Sequence, residues 1–287
     1  MPAQPDLHTH SAASDGVLEP AELVVRAVAA GVKLLALTDH DTTAGFAAAK
    51  TAAEGLGVEL VPGVEISVTW GGRAVHILGL GIDPQCGALQ QGLAGLRDYR
   101  RWRAEEIGRR LAKAGIEGAY RGAAALSRGD LVGRTHFARF LVGRGLAADV
   151  QGVFKRFLTK GNPGHVHGEW ASLEEAVGWI RTAGGQAVIA HPGRYRFSRS
   201  KLIRLIAELK ALGGVGIEVV SGRQGADEAL MLARCAREHG LYASAGSDYH
   251  GPEYPALELG RLPALPAGCV PIWSSWTPPE SPRAIPA

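Results

Sequence analysis

The sequence predicts an α/β barrel of βα units broken by one helical insertion, and three observations carry that prediction. Short β-rich apolar runs alternate with Ala/Leu-rich helical stretches, the pattern of parallel strands joined by crossover helices. Several of those runs end in polar or charged residues that a core strand could not bury, and barrels place their chemistry at the C-terminal ends of the strands. From residue 89 to about 163 the alternation stops, and a helical, Arg-rich stretch without a clear strand replaces it.

In chain order the strand candidates are the run around DLHTH, LLALTDHD after a helix over 20–30, VELVPGVEIS after a helix over 44–55, AVHILGLGI, QAVIAHP, VGIEVVSG and LYASAGSDYH. The polar ends are Asp6 to His10, Asp39 to Asp41, Glu65, His191 and Asp248 to His250. The interruption runs from LQQGLAGLRDYRRWRAEEIGRRLAKAG to GVFKRFLTKGNPG and reads as a helical insertion over the barrel mouth. The expected organisation is therefore a barrel over 1–88 and 164–275, an insertion over 89–163 and a flexible, proline-rich tail over 276–287. No internal repeat is present.

Composition narrows the class. The 287 residues are 46% hydrophobic and 21% charged, which fits one large globular domain or a domain with an insertion and excludes disordered and fibrous classes. No run of about 18 apolar residues occurs and the start lacks a secretory layout, so a soluble, cytoplasmic protein is expected. Cys86, Cys235 and Cys269 lie far apart and form no CxxC pair, which argues against a disulfide framework and a thiolate zinc site. A net charge of +3 is too small for a protein that coats nucleic acid, yet it would not repel an anionic substrate.

The strongest local signal is His8-Thr9-His10, because residues i and i+2 of a strand point to the same side and can reach one cation. Asp15 follows in SAASDG, His40 stands in TDHD, Glu65 in PGVEIS, His76 in AVHILGLG and His191 in IAHPG, while Asp248 and His250 in GSDYH repeat the i, i+2 spacing. Any one of these alone reads more simply as a cap, a surface group or a satisfied core histidine. Six of the ten histidines nevertheless fall beside predicted strand ends, whereas His136, His165, His167 and His239 lie in the insertion or a helix. Imidazole with carboxylate and no thiolate suits manganese, zinc or iron. Asp39 and Asp41 read either as partners for ligand imidazoles or as turn caps.

The motifs DLHTHSAASDG, LTDHDT, PGVEIS, HILGLG, AHPGR and GSDYH, in that order over nearly the whole chain, resemble those of the polymerase and histidinol phosphatase (PHP) family of amidohydrolase-like barrels. The resemblance implies a distorted (β/α)7 barrel with a helical insertion, holding two or three divalent ions, Mn2+ first and Zn2+ or Fe2+ as alternatives. It further implies that His8, His10, Glu65 and Asp248 hold a first ion, that Glu65 bridges to a second with His76 and His191, and that Asp15, His40 and His250 hold a third.

Three such ions would exceed the charge of three carboxylates and so favour an anionic substrate, and coordination lowers the pKa of water from 15.7 toward about 7, giving a hydroxide nucleophile. The proton donor stays unassigned. Arg134, Lys160 and Arg194 stand where the resembled family places basic residues around the substrate, and Arg194 follows His191 on the same rim. Residues 97–110 hold six arginines with Asp98, Glu105 and Glu106, so much of that helix is expected to be a solvated, ion-paired face. Within it, Trp102 beside Arg103 could stack a base next to a phosphate ligand, although a core tryptophan is an equal reading. The short barrel with one insertion resembles the branch of 3',5'-nucleoside bisphosphate phosphatases and short-RNA 5'-exonucleases. Expected partners are thus a small nucleotide, or alternatively short RNA, with no membrane and no obligatory protein partner. A catalytically silent metal-binding module is the competing class, and the complete ligand set speaks against it.

Overall fold

A computed structural model describes residues 5–222, 224–252 and 258–276. Seven strands form one sheet in sequence order, β1 (Pro5–Thr9), β2 (Leu34–Leu37), β3 (Glu59–Trp70), β4 (Arg73–Leu80), β5 (Gln186–Ile189), β6 (Gly216–Ser221) and β7 (Tyr242–Gly246). The ends of β7 and β1 meet through a parallel bridge between Thr9 and Tyr249, and Asp248 N donates to His8 O at 2.8 Å, so the sheet nearly closes into a barrel. Of the expected tail, only Trp276 lies within the described residues.

The sheet departs from an all-parallel arrangement at β4, which runs antiparallel to both β3 and β5. The sequence explains the reversal, since VELVPGVEIS and AVHILGLGI are separated by too few residues for a crossover helix. Trp70 pairs with Arg73 across Gly71 and Gly72, whose φ values of 54° and 73° are the two left-handed positions of a type I′ hairpin turn. Only glycine adopts both without strain.

Helices cover the outside, with α1 (Pro20–Ala29), α2 (Phe46–Ala53), α7 (Leu173–Thr182), α8 (Arg199–Ala211) and α9 (Ala226–Glu238) between strands. Their apolar stripes pack on outward residues such as Val64, Ile66, Ile77 and Ile217. The barrel interior is plugged at the opposite end from the polar strand ends by Leu7, Ala36, Val61, Leu78, Val188 and Ile272, the last carried on a short 3-10 helix, Ile272–Ser275.

Between β4 and β5 the chain is helical, in α3 (Gly87–Lys113), α4 (Ala119–Ala124), α5 (Arg134–Gly143) and α6 (Val150–Val153), the last running into a π-helical turn, Phe154–Leu158. The 27 residues of α3 make a rod about 40 Å long. Its first half inserts Leu89, Leu93 and Leu96 into the core around the barrel, and its second half gives Ala104, Ile107 and Leu111 to a separate core with Phe137, Leu141 and Val153. One rigid helix thus fixes this helical cap to the barrel.

Candidate metal centre

The HxH pair is aimed by a strand irregularity. The register of β1 on β2 shifts between Asp6 and Thr9, so Leu7 faces the interior plug while the adjacent His8 also faces inward. A bulge of this kind re-aims a side chain beside a functional site. Gly246 on β7 makes room, because a Cβ there would lie 2.2 Å from the His8 Cβ.

Among the described residues Asp39 and Asp41 hydrogen-bond to backbone, hydroxyl and guanidinium groups and not to the candidate imidazoles, although the charge of His10 still bears on Asp39. Asp39 is buried and accepts from Ser11 N at 2.8 Å and from the Ser11 and Ser14 hydroxyls, each at 2.6 Å, pinning the loop that carries Asp15. Asp41 accepts from Ser67 N at 2.7 Å and from Arg100 Nε at 2.6 Å. This pair joins α3 to the strand end that bears His40, and removing one partner of such a buried pair costs about 3–5 kcal/mol.

Glu65 and His76 lie inside strands rather than at their C-terminal ends. The β3–β4 hairpin extends past the rim, and the reversal of β4 brings its first half to the catalytic end, with His76 opposite Ser67. His191, Asp248 and Asp41 have φ values of 28°, 54° and 53°, a left-handed conformation that is costly for residues other than glycine. Strain of this kind persists where the surroundings over-determine it, characteristically at functional sites.

The side chains converge on Glu65, which is fully buried. Its Oε1 lies 2.8 Å from both His76 Nδ1 and His191 Nε2, and its Oε2 lies 2.9, 3.2 and 3.3 Å from nitrogens of His40, His10 and His8. Asp248 Oδ1 is 3.0 Å from His10 Nε2 and 3.3 Å from His8 Nε2, and Asp15 Oδ1 is 3.2 Å from His250 Nε2. Three sets have donor atoms within 4.8 Å of one another: His8, His10, Glu65 and Asp248; His10, Asp15, His40 and His250; and His40, Glu65 and His76. His40 thus approaches Glu65 as well as the Asp15 group. Glu65 Oε2, Asp15 Oδ1 and His40 Nδ1 are buried without a hydrogen-bond partner among the described residues. Glu65 Oε1 is within hydrogen-bond distance of His76 and His191, but the convergence of so many nitrogens and carboxylate oxygens on one point fits divalent cations, and the set is of the right hardness.

Protons and cations compete for these nitrogens. Burial lowers the pKa of His8 and His10, but the carboxylates of Glu65 and Asp248, joined at His8 by Glu218, more than offset it, raising His8 well above its usual value and His10 to about 10. Burial dominates at His40 and pushes it down to about 4. Ligation requires neutral imidazole, so loading divalent ions at pH 7 is expected to expel protons from His8 and His10, and affinity is expected to fall as pH falls. Titration calorimetry in buffers of different ionisation enthalpy reads the release, and a buffer-independent heat would contradict it.

Glu218 escaped the sequence reading. It is fully buried on β6, its Oε1 is 3.0 Å from His8 Nδ1, and its Oε2 accepts from His191 N. By accepting the Nδ1 proton it would leave Nε2 of His8, once its own proton is expelled, with a lone pair facing Glu65 and Asp248, the arrangement of an outer partner to a metal-ligating histidine. The signal in VGIEVVSG was a single carboxylate in an otherwise apolar strand. Glu218→Ala is expected to weaken metal affinity by about 10–100-fold. Competition with a chromogenic chelator measures it, and unchanged affinity in the folded variant would remove the role.

Two cavities of about 450 and 650 Å³ open over the cluster. The smaller lies under the cap and is lined by Arg100, Arg103, Arg134 and Lys160, together with His165 and His167, which the sequence reading had set aside. Arg97, Arg100 and Arg103 recur every three residues on the inner face of α3, while Arg101, Arg109 and Arg110 pair outward with Asp98 and Glu106. Arg103 Nε is buried without a hydrogen-bond partner among the described residues, and burial, with Arg134 and Arg100 nearby, lowers its pKa to about 9. Burial, with Arg100 beside it, also lowers that of Arg134. Arg194 pairs with Asp248 at the junction of the cavities. Trp102 is not in either cavity: it is 51% exposed and packs on Tyr99. The rings on the cavity wall are Phe154, 5.5 Å from the Arg134 guanidinium, and Trp170, 5.0 and 5.2 Å from those of Arg100 and Arg103.

The PHP domain family matches residues 6–189. The chain is 50% identical over 269 residues to a 3',5'-nucleoside bisphosphate phosphatase of Chromobacterium violaceum, covering 93% of this chain and 94% of that one. It is 46% identical over 277 residues to a 5'-3' exoribonuclease of Salmonella typhimurium, covering 96% and 94% respectively. Among solved structures, an amidohydrolase from Chromobacterium violaceum with bound sulfate and no metal superposes with a TM-score of 0.92 at 50% identity, covering 95% of each chain.

Proposed function

The chain belongs to the PHP domain family, and on that basis and the geometry of its site we propose that it is a metal-dependent phosphatase that removes the 3'-phosphate of nucleoside 3',5'-bisphosphates, leaving a nucleoside 5'-monophosphate. The observation that carries this reading is the cationic lobe beside the convergent ligands, lined by Arg100, Arg103, Arg134 and Lys160, which offers a second phosphate an anchor away from the reaction centre. We assign His8, His10, Asp15, His40, Glu65, His76, His191, Asp248 and His250 as metal ligands, with manganese as the favoured ion.

Bound divalent cations would polarise the phosphoryl oxygens and acidify a water near neutral pH. The protein's own groups do the rest. Arg134 and Arg103 receive the 5'-phosphate with planar forks, and Lys160 adds a point charge at the rim. Trp170 covers the sugar and base side, where stacking tolerates any base. Arg194 holds the Asp248 carboxylate from outside and faces the cavity, so it can also meet the transferred phosphoryl group. Glu218 adds one negative charge to the centre and Arg194 one positive, leaving the expected preference for an anion intact.

Chelation is expected to abolish phosphate release from adenosine 3',5'-bisphosphate, and manganese to restore it better than magnesium, since imidazole-rich sites bind magnesium poorly. Full activity after dialysis against chelator, with less than one equivalent of metal bound, would overturn the assignment. The relatives named as exoribonucleases and the larger second cavity favour a second activity of the same centre, the release of 5'-mononucleotides from short 5'-phosphorylated RNA.

A further inference from the structure

The two cavities are lobes of one groove, because both are lined by Thr135, Phe154, His191, Arg194, Asp248 and His250. They meet over the ligand cluster, and their chemistry differs. The lobe under the cap is strongly cationic, whereas the other is bounded by Gln151, Ser221, Gln224 and Glu228, with Arg196 at its edge. Ser221 Oγ is buried there without a hydrogen-bond partner among the described residues. Gln224 is held in place by accepting from Ser221 N at 2.9 Å.

A phosphomonoester needs only the first lobe. Its 5'-phosphate and nucleoside fill the cationic side, the 3'-phosphoryl lies at the ligands, and nothing extends beyond. A second lobe of about 650 Å³, within the usual size of a small-molecule site, is surplus for that substrate. Among the described residues that line this lobe alone, the amides of Gln151 and Gln224, the Ser221 hydroxyl and the Glu228 carboxylate outnumber the one cation, Arg196, and suit the hydroxyls of a ribose and the edges of a base better than another phosphate.

From this asymmetry, and resting on the phosphoesterase reading, we propose that the second lobe is a binding site for the nucleoside on the 3' side of a scissile phosphodiester, with Gln151, Ser221, Gln224 and Glu228 as its polar contacts. The same bond then breaks in both substrates. Water adds to phosphorus, the bond to the 3' oxygen of the first nucleoside breaks, and that oxygen takes up a proton. The phosphate stays on the 5' oxygen of the second nucleoside, in the second lobe. The charge difference between the lobes sets the polarity: the terminal 5'-phosphate enters the strongly cationic side and the remaining chain leaves through the less cationic one.

Two measurements on the manganese-loaded, full-length protein test the assignment. The first compares a 5'-phosphorylated ribodinucleotide with the 3',5'-bisphosphate of its first nucleoside, for the wild type and for Gln151→Trp, an exposed position where the indole projects into the lobe. The ratio of kcat/KM for dinucleotide to bisphosphate is expected to fall tenfold or more in the variant. An unchanged ratio overturns the site, as does a wild type that hydrolyses the bisphosphate and leaves the dinucleotide intact. Hydrolysis of neither overturns the phosphoesterase reading itself. The second uses a hydrolysis-resistant phosphorothioate dinucleotide with 4-thiouridine in second place. Photocrosslinks within 151–154 or 221–228 support the lobe, and crosslinks confined elsewhere overturn it.

Discussion

Glu65→Ala is expected to remove bound metal and activity together, with kcat/KM falling by more than about 100-fold, since the loss of an outer partner of a metal ligand already costs about 10–100-fold. The reason lies in the number of groups that share this carboxylate. Five imidazoles, those of His8, His10, His40, His76 and His191, approach its two oxygens within 3.3 Å. Burial opposes ionisation of Glu65, but the charges of His40, His76 and His8 around it hold its pKa well below the usual carboxylate range. Alanine would leave those imidazoles crowded together with no carboxylate at their centre, and only Asp248 and Glu218 to offset them on the side of His8 and His10. Elemental analysis should show the loss directly, and far-UV circular dichroism separates it from unfolding. Glu65→Gln keeps the volume and one acceptor oxygen while deleting the charge, so it should retain the fold and still lose metal. Wild-type turnover with full metal content in either variant would mean that Glu65 is not the bridge.

How much of this was legible in the sequence follows from the physics of each residue. The proposed ligand positions were readable because polar residues recur in order at or beside apolar runs where they have few structural reasons to be, although Glu65 and His76 lie inside their strands and Asp15 on a loop. The hairpin was less legible, since Gly71-Gly72 is a strong turn signal only once both flanking runs are known to pair. Glu218 was hidden because a lone carboxylate in a β-run also fits a solvent-facing strand position, and its burial depends on β6 lying between β5 and β7 with His8 of β1 and the backbone of His191 reaching it. The inward arginines of α3 needed the direction of the helix: Arg97, Arg100 and Arg103 differ from Arg101 and Arg109 only in which side meets the barrel. Trp102 follows from the same geometry. Being adjacent to Arg103 places it about 100° away around the helix, outside the cavity, whereas Trp170 arrives from a distant segment. Local spacing therefore revealed donors that share an end of the barrel, and missed contacts made between elements.

A nucleoside 3',5'-bisphosphate is expected to be preferred over the corresponding 3'-monophosphate by on the order of 100-fold or more in kcat/KM. On the proposed reading the ligand cluster engages one phosphorus, which leaves the second phosphate to the cationic lobe. Each charge-assisted contact is worth about 1.5–3 kcal/mol, and two of them account for a preference of that size. Arg103 and Arg134 are the contacts expected to matter most, because both are desolvated and each depresses the pKa of its neighbourhood by crowding like charge, a cost that a bound dianion relieves. The single variants Arg103→Ala and Arg134→Ala should each reduce kcat/KM on the bisphosphate by about 10–150-fold while leaving the 3'-monophosphate less affected. In the double variant the preference should collapse to within about tenfold. The loss should be less than the product of the single losses, since the two side chains serve one phosphate and share their repulsion. The rates of phosphate release for the two substrates across the four proteins give the comparison. A double variant that keeps the wild-type preference would place the second phosphate outside this lobe, and equal losses on both substrates would mean that the arginines support the reaction centre itself.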